Sequence, residues 1–414
     1  MSKFRTFLSA VLVTLFAASG AFAQGFYAIS NKADGNTVVA FKVNGSGKYE
    51  VLGEFATGGT GTGDLEIPAL KKDPTHPLAN GDDPLISANA IATASEGKHI
   101  LAVNPGNATI SLMGVNDDGT LKSLSTAPSS DKFPISLAVR GGMVVAASVG
   151  DNNGSGSISA FRIDGDDLEA VEGSRRDLKA RPSTISFSSD GEFVIVNELV
   201  TGKIHSFAVK DGSLSEAPVS TVNSPRDEES RFQAIPVGFA VHGDKILMSE
   251  ARFLTPDFKL REEANVVVQS PLYSWQTSSV SSYSLGADGS ISMVSGDVLT
   301  GDAVEGGEIA NCWVAVSADG KTLWAANALS SSISTFRVRK NGSVSLINAR
   351  AYKDKSERLF FSDLAISKDG SELYQLVGNK GEIMIFEIKP NGDLEPKQTV
   401  GGLPELGAYG LVAF

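Results

Sequence analysis

The chain contains one cysteine, Cys312, among 414 residues, so no disulfide can close within it. Packed apolar surface must hold the fold together, and a chain this long can bury enough of it. Basic residues are also short: 36 Lys and Arg stand against 48 Asp and Glu, a formal net charge of −12. Such a surface repels phosphate backbones, and no basic stripe with interleaved aromatics offsets it, so nucleic acid is not an expected partner. The four histidines, His76, His99, His205 and His242, lack the spacing of a metal site. There is no Asp-rich calcium loop, Gly-x-Ser-x-Gly elbow, His-Glu-x-x-His or phosphate-binding loop. Neither a metal nor a cofactor is therefore expected.

Long apolar runs are missing as well. The one near the start, Phe7 to Ala18, is too short for a comfortable membrane span. With Lys3 and Arg5 before it and Ala21-Phe22-Ala23 after it, residues 1–23 read as a cleavable secretory signal. Residues 24–414 are then expected to be an exported or periplasmic protein without a membrane span.

What the chain has is a repeat. "GKIHSFAVKDGSL" from Gly202 alternates apolar and polar residues and then makes an Asp-Gly turn. Six relatives start at Asn36, Ala108, Gly156, Ser278, Ser331 and Gly381. A large apolar residue anchors each copy: Phe41, Met113, Phe161, Phe207, Tyr283, Phe336 and Phe386. Period-two alternation with such turns signals strand hairpins. A more apolar half-repeat precedes most copies, as in "FSSDGEFVIVNEL" from Phe187, and suits strands covered on both faces.

Joined, the halves make four-stranded antiparallel units, and seven such units predict an all-β, seven-bladed β-propeller. The opening "GFYAISN" and closing "AYGLVAF" are complementary half-blades, so N- and C-terminal strands are expected to pair and close the ring. Anchors lie 46 to 53 residues apart except from Phe41 to Met113, 72 residues, and from Phe207 to Tyr283, 76 residues. Inserts near 56–87 and 251–277 account for the excess, and long loops on a rigid scaffold often carry function.

Each inner hairpin ends at an equivalent position, held by Asn31, Asn104, Ser148, Glu198, Glu250 and Asn327, with Asn379 near the seventh. Strand alternation suggests that these converge on one mouth of the central channel. Glu198 and Glu250 on neighbouring blades would raise one another's pKa, which suits acid–base chemistry near neutrality. The plainer reading is that Asn and Glu at strand ends bond nearby backbone. Arg252 is suited to a substrate carboxylate, or else pairs with Glu250. Tyr273 and Trp275 in the second insert are candidates to cover an organic ligand. Asn104 and Asn327 are ligand-binding candidates at the rim, while Trp313 reads as core.

The sequence resembles the seven-bladed lactonases, which include bacterial 6-phosphogluconolactonases and carboxymuconate-lactonising enzymes, and more closely their secreted relatives. The resemblance rests on "GGTGTG" (Gly58–Gly63), the Ala102–Gly106 step, Pro134-Ile135-Ser136, the Ser155-Gly156-Ser157 blade start and Cys312-Trp313. It spans nearly all of residues 24–414. In catalytic members blade four carries Gly-Pro-Arg-His and then Asn-Glu. Asn197-Glu198 matches the second motif, but Ser183 and Thr184 follow Pro182 where Arg and His would stand. Arg181 lies two positions from the missing arginine. The family's blade-three histidine is absent too, with Lys132 and Ser136 nearby.

Two functions follow. The resemblance implies a lactone-opening or lactone-forming enzyme, with Glu198, Arg181 and Glu250 as catalytic residues and a small organic acid or lactone as substrate. The lost Arg-His pair points instead to a non-catalytic propeller that binds a small molecule or an envelope protein.

Overall fold

The computed structural model describes residues 24–63, 87–150, 155–199, 201–225, 233–254, 277–302, 306–357 and 359–414. The expected signal segment, the bulk of both inserts, His76, Tyr273 and Trp275 lie outside the described residues.

Strand-forming alternation and Asp-Gly or Asn-Gly turns produce seven radial antiparallel sheets. Blade 4 is representative: inner strand Pro182–Phe187, then Phe193–Glu198, Lys203–Lys210 and an outer edge that includes Ser220–Asn223. The remaining inner strands are Ile91–Ala94, Pro134–Arg140, Gln233–His242, Asn311–Val316 and Phe361–Ile366 in blades 2, 3, 5, 6 and 7. Blade 1 takes its inner strand from the other end of the chain. Tyr409–Ala413 pairs antiparallel with Gly25–Ile29, matching Phe26 with Ala413 and Tyr27 with Val412. The expected closure is present, and successive inner strands touch all the way round.

The core follows from this geometry. A radial sheet has both faces covered, so apolar side chains fill the joints between blades. Phe207 of blade 4 packs with Val145 and Ile158 of blade 3, and Tyr283 of blade 5 packs with Ile195 and Ile204 of blade 4. All seven anchors are at most 2 % exposed. Between blades 7 and 1 a polar clasp joins the apolar joint: the Tyr49 phenol meets Glu372 and lies 2.8 Å from the Tyr374 hydroxyl, while Lys397 pairs with Glu372.

The glycine-rich "GGTGTG" is the tight loop its composition suggests, and its glycines are needed for close approach. A Cβ on Gly59 would stand 2.3 Å from Asn104 Cγ, and one on Gly61 would stand 2.1 Å from the Asn31 carbonyl. Two of the motifs behind the family resemblance are thus halves of one contact.

The axis is filled at the same face. Ser87 Oγ donates to the Ile135 carbonyl at 3.2 Å in blade 3, and Ala88 N–H donates to Thr184 Oγ1 at 3.2 Å in blade 4. Trp313 Nε1 of blade 6 donates to the Ser87 carbonyl at 2.7 Å. Ala88 Cβ lies 3.6 Å from where a Cβ on Gly238 of blade 5 would be, and Ala90 Cβ lies 3.1 Å from that position on Gly410 of blade 1. Residues 87–90 therefore cross the axis and touch the inner strands of five blades.

Phe207→Ala should cost about 3–5 kcal/mol, the usual range for emptying a buried aromatic site. Denaturant unfolding should show the loss as a lower midpoint with little change in slope.

Candidate functional site

The rim positions that the repeat places at the ends of the second strands lie on one face, but their side chains turn into the joints between blades and not toward the axis. The reason is the alternation of a strand whose sheet stands radially: successive side chains face the two neighbouring blades, and the inner strand alone borders the axis. Asn197 faces blade 5, donating to the Pro236 and Val237 carbonyls at 2.7 and 3.0 Å. Glu198, the next residue, faces blade 3.

Glu198 is 1 % exposed. Its carboxylate accepts the Lys179 N–H at 3.1 Å and a hydrogen bond from the Thr201 hydroxyl. His205 Nε2 lies 3.3 Å from Glu198 Oε1, close but off the line of a well-formed hydrogen bond. Burial opposes ionisation of Glu198, but His205, Thr201 and the Lys179 N–H together outweigh it and hold the carboxyl below its ordinary range. On the far side of the ring, His205 Nδ1 lies 2.9 Å from Thr221 Oγ1. Thr221 is exposed on the outer strand. A buried carboxylate, an imidazole and a surface hydroxyl thus stand in line across blade 4. Sequence reading singled out Glu198 but missed its partners; the signal was His205, a polar residue among the buried ones of an alternating strand.

Arg181, 2 % exposed, sits beside this set in the backbone, its carbonyl accepting the Leu199 N–H at 2.9 Å. Glu250 and Arg252 belong to blade 5. Ser279 Oγ donates to Glu250 Oε2 at 2.6 Å, and Arg252 Nη2 lies 4.0 Å from the same oxygen. Arg252 also pairs with Asp297 and bonds Ser279 Oγ at 3.1 Å. Burial pushes the Glu250 carboxyl up, only partly offset by Arg252 and Ser279. Glu198 and Glu250 are thus shifted in opposite directions by separate surroundings, and not by each other as the channel-mouth reading supposed.

Asn104 Nδ2 donates to Thr109 and Ser111 hydroxyls at 3.1 and 2.7 Å, while its Oδ1 takes Asn36 Nδ2 and Thr57 Oγ1 at 2.9 and 2.7 Å. Asn327 makes the equivalent bonds to Ser332 and Ser334 at 3.1 and 2.8 Å. Both tie a second strand to the third strand of their own blade. Trp313 is core, 2 % exposed.

Asp363 is a buried acid that escaped the sequence reading. It lies on the inner strand of blade 7, where the pairing register shifts between Phe361 and Leu364. Its carboxyl accepts the Gly410 N–H at 3.0 Å, and burial pushes it up to about 7. The Tyr409 phenol lies near, raised by burial and then by the Asp363 charge. The strand's apolar run "DLAI" concealed this residue. Among the described residues no group of His, Cys, Asp and Glu is arranged to hold a metal, and no helix is long and apolar enough to cross a membrane.

Residues 273–406 match the family described as Lactonase, 7-bladed beta-propeller. The chain is a seven-bladed propeller that resembles this family over that segment. It superposes on a 6-phosphogluconolactonase candidate from Bacteroides uniformis with a TM-score of 0.64 at 17% identity, over 94% of this chain and 99% of the other. The periplasmic gluconolactonase of Pseudomonas aeruginosa gives 0.60 at 15%, over 92% and 97%. A hypothetical selenium-binding protein from Sulfolobus tokodaii gives 0.59 at 11%, over 93% and 92%. At such identities the likeness is one of fold, which hosts unrelated functions. No curated protein matches the sequence.

A carboxyl raised from the ordinary Asp range to about 7 binds an extra proton in the folded state between those limits. Stability should therefore be greatest below about pH 4 with respect to this group, and should fall as pH rises toward about 7. Asp363→Asn should flatten that descent, measured as the urea midpoint against pH.

Proposed function

We propose that the protein is an exported lactone hydrolase whose reacting group is the Thr221–His205–Glu198 set. The observation that carries this reading is the line of hydroxyl, imidazole and ionised carboxylate, at 2.9 and 3.3 Å, that ends on an exposed threonine. The lactonase family match and the gluconolactonase-type neighbours support the substrate class. Compared with the expectation of a site at the channel mouth, the reaction moves outward to blade 4, because residues 87–90 occupy the axis.

An ionised Glu198 favours the tautomer with hydrogen on Nε2, which leaves the lone pair on Nδ1 facing Thr221. Thr221 Oγ attacks the lactone carbonyl carbon as its proton passes to Nδ1. The ring C–O bond then breaks, the imidazolium returns the proton to the leaving alkoxide, and water hydrolyses the ester on Thr221 by the same steps. Glu198 stabilises the imidazolium between them. Arg181, beside this set in blade 4, remains a candidate for binding the acid part of the substrate, with Tyr273 and Trp275 of the second insert as further ligand contacts. The buried Glu250, Arg252, Asn104 and Asn327 hold their own blades instead. The signal-like residues 1–23 support export.

A second reading has an observation of its own. An axis filled by residues 87–90 suits a propeller that binds a small molecule or an envelope protein through its faces, without catalysis.

Hydrolysis of a panel of sugar and muconate-type lactones separates the two. Thr221→Ala and His205→Asn should each lower kcat/KM about a hundredfold or more, and Glu198→Gln should do so with an altered pH profile. Folded wild-type protein that opens none of the lactones would leave the binding reading standing.

A further inference from the structure

The opposite face carries a second feature that the proposed reaction does not use. A cavity of about 490 Å³ lies among blades 7, 1, 2 and 3, where inner hairpins turn back. That volume is in the range of sites for small organic molecules. Its apolar wall includes Val115, Val139 and Phe414, the last stacked on Tyr27 at 4.4 Å between ring centroids.

Charge is the informative part of the lining. Lys42, Arg140 and Lys368 border the cavity from three different blades. Among the described residues none of the three has a carboxylate within ion-pair distance. Lys42 Nζ instead donates to the Asp118 carbonyl at 2.9 Å. Lys368 Nζ comes within 4.0 Å of where a Cβ on Gly97 would be, so it reaches from blade 7 to blade 2. Glu96, Asp117 and Asp118 also line the cavity, and the Lys42 charge acts on Asp118. The lining therefore sets three cations beside three carboxylates, donors for an anion next to acceptors for hydroxyls.

We propose that this cavity binds a small polyhydroxylated carboxylate, a sugar acid. Lysine and arginine donate to the ligand carboxylate, Glu96 and Asp117 accept from its hydroxyls, and the apolar wall covers the carbon face. A neutral sugar would leave the cations unmatched, and a simple carboxylate would leave the acids unmatched. The site is independent of the proposed reaction and lies on the other face, although the opening of a sugar lactone releases a product of this class.

Isothermal titration with D-gluconate and D-galacturonate, beside methyl glucoside and acetate as controls, tests the proposal. Saturable binding of at least one sugar acid is expected, weakened by salt and at least tenfold tighter than either control. The exposed pair Arg140→Ala and Lys368→Ala together should weaken it by about tenfold or more, a loss of about 1.4 kcal/mol, with circular dichroism and melting unchanged. Thr221→Ala, altered on the other face, should bind as wild type does whether or not lactones are hydrolysed. Absence of saturable binding by both acids would overturn the proposal, as would equal binding of a control. So would binding that survives loss of both cations or disappears in Thr221→Ala.

Discussion

The structure depends on one strand pairing. Seven blades make a ring only if the first and last are joined, and here five residues from each end of the described chain do that work, with Phe26 opposite Ala413 and Ile29 opposite Tyr409. Every other blade is built from consecutive strands, so its hairpins are local and form early in principle. Blade 1 alone requires contacts across the whole sequence. The Tyr49–Glu372–Tyr374 clasp and the Phe26 and Tyr374 rings, 4.6 Å apart, reinforce that one non-local joint. With no disulfide available, closure rests on hydrogen bonds and packed aromatics.

Closure also explains what the sequence made legible. Period-two alternation, turn glycines and one apolar anchor per repeat are local signals, and every anchor from Phe41 to Phe386 is buried in a joint. The C-terminal half-blade was readable because a strand that lacks a blade must find one. Side-chain direction at the rim was not readable in the same way. Sequence periodicity separates the two faces of a strand, but does not say whether either faces an opening; in a radial sheet both face neighbouring blades. Asn104 and Glu198 therefore hold equivalent places in the repeat and bond inside their joints. The filled axis escaped for a different reason. Residues 87–90 have no periodic pattern, and their position follows from contacts with Ile135, Thr184 and Trp313 that lie far away in the chain.

Burial sorts the acids of this protein into distinct electrical roles. Glu198 is buried but supplied with donors, and so stays ionised. Asp363 is buried with a single external donor, the Gly410 N–H, and its proton is retained to about pH 7. Glu308 is buried against the two cations Arg350 and Lys353. The same side-chain type is thus an anion, an acid or half of an ion pair according to how many donors reach it. Family motifs mark backbone positions and do not register that difference, which is why Asn197-Glu198 is legible in the sequence while His205 and Thr221 are not.

The closing strands have a mechanical character of their own. They run antiparallel, and Phe414 N–H donates to the Gly25 carbonyl at 3.0 Å, so the outer limits of both strands lie side by side. Tension applied between Gly25 and Phe414 loads the rungs of that ladder one after another, as in a zipper. The rungs of a strand pair pulled from opposite limits would instead share the load. The joint on which folding depends is therefore the one that yields first when the ring is pulled by its ends.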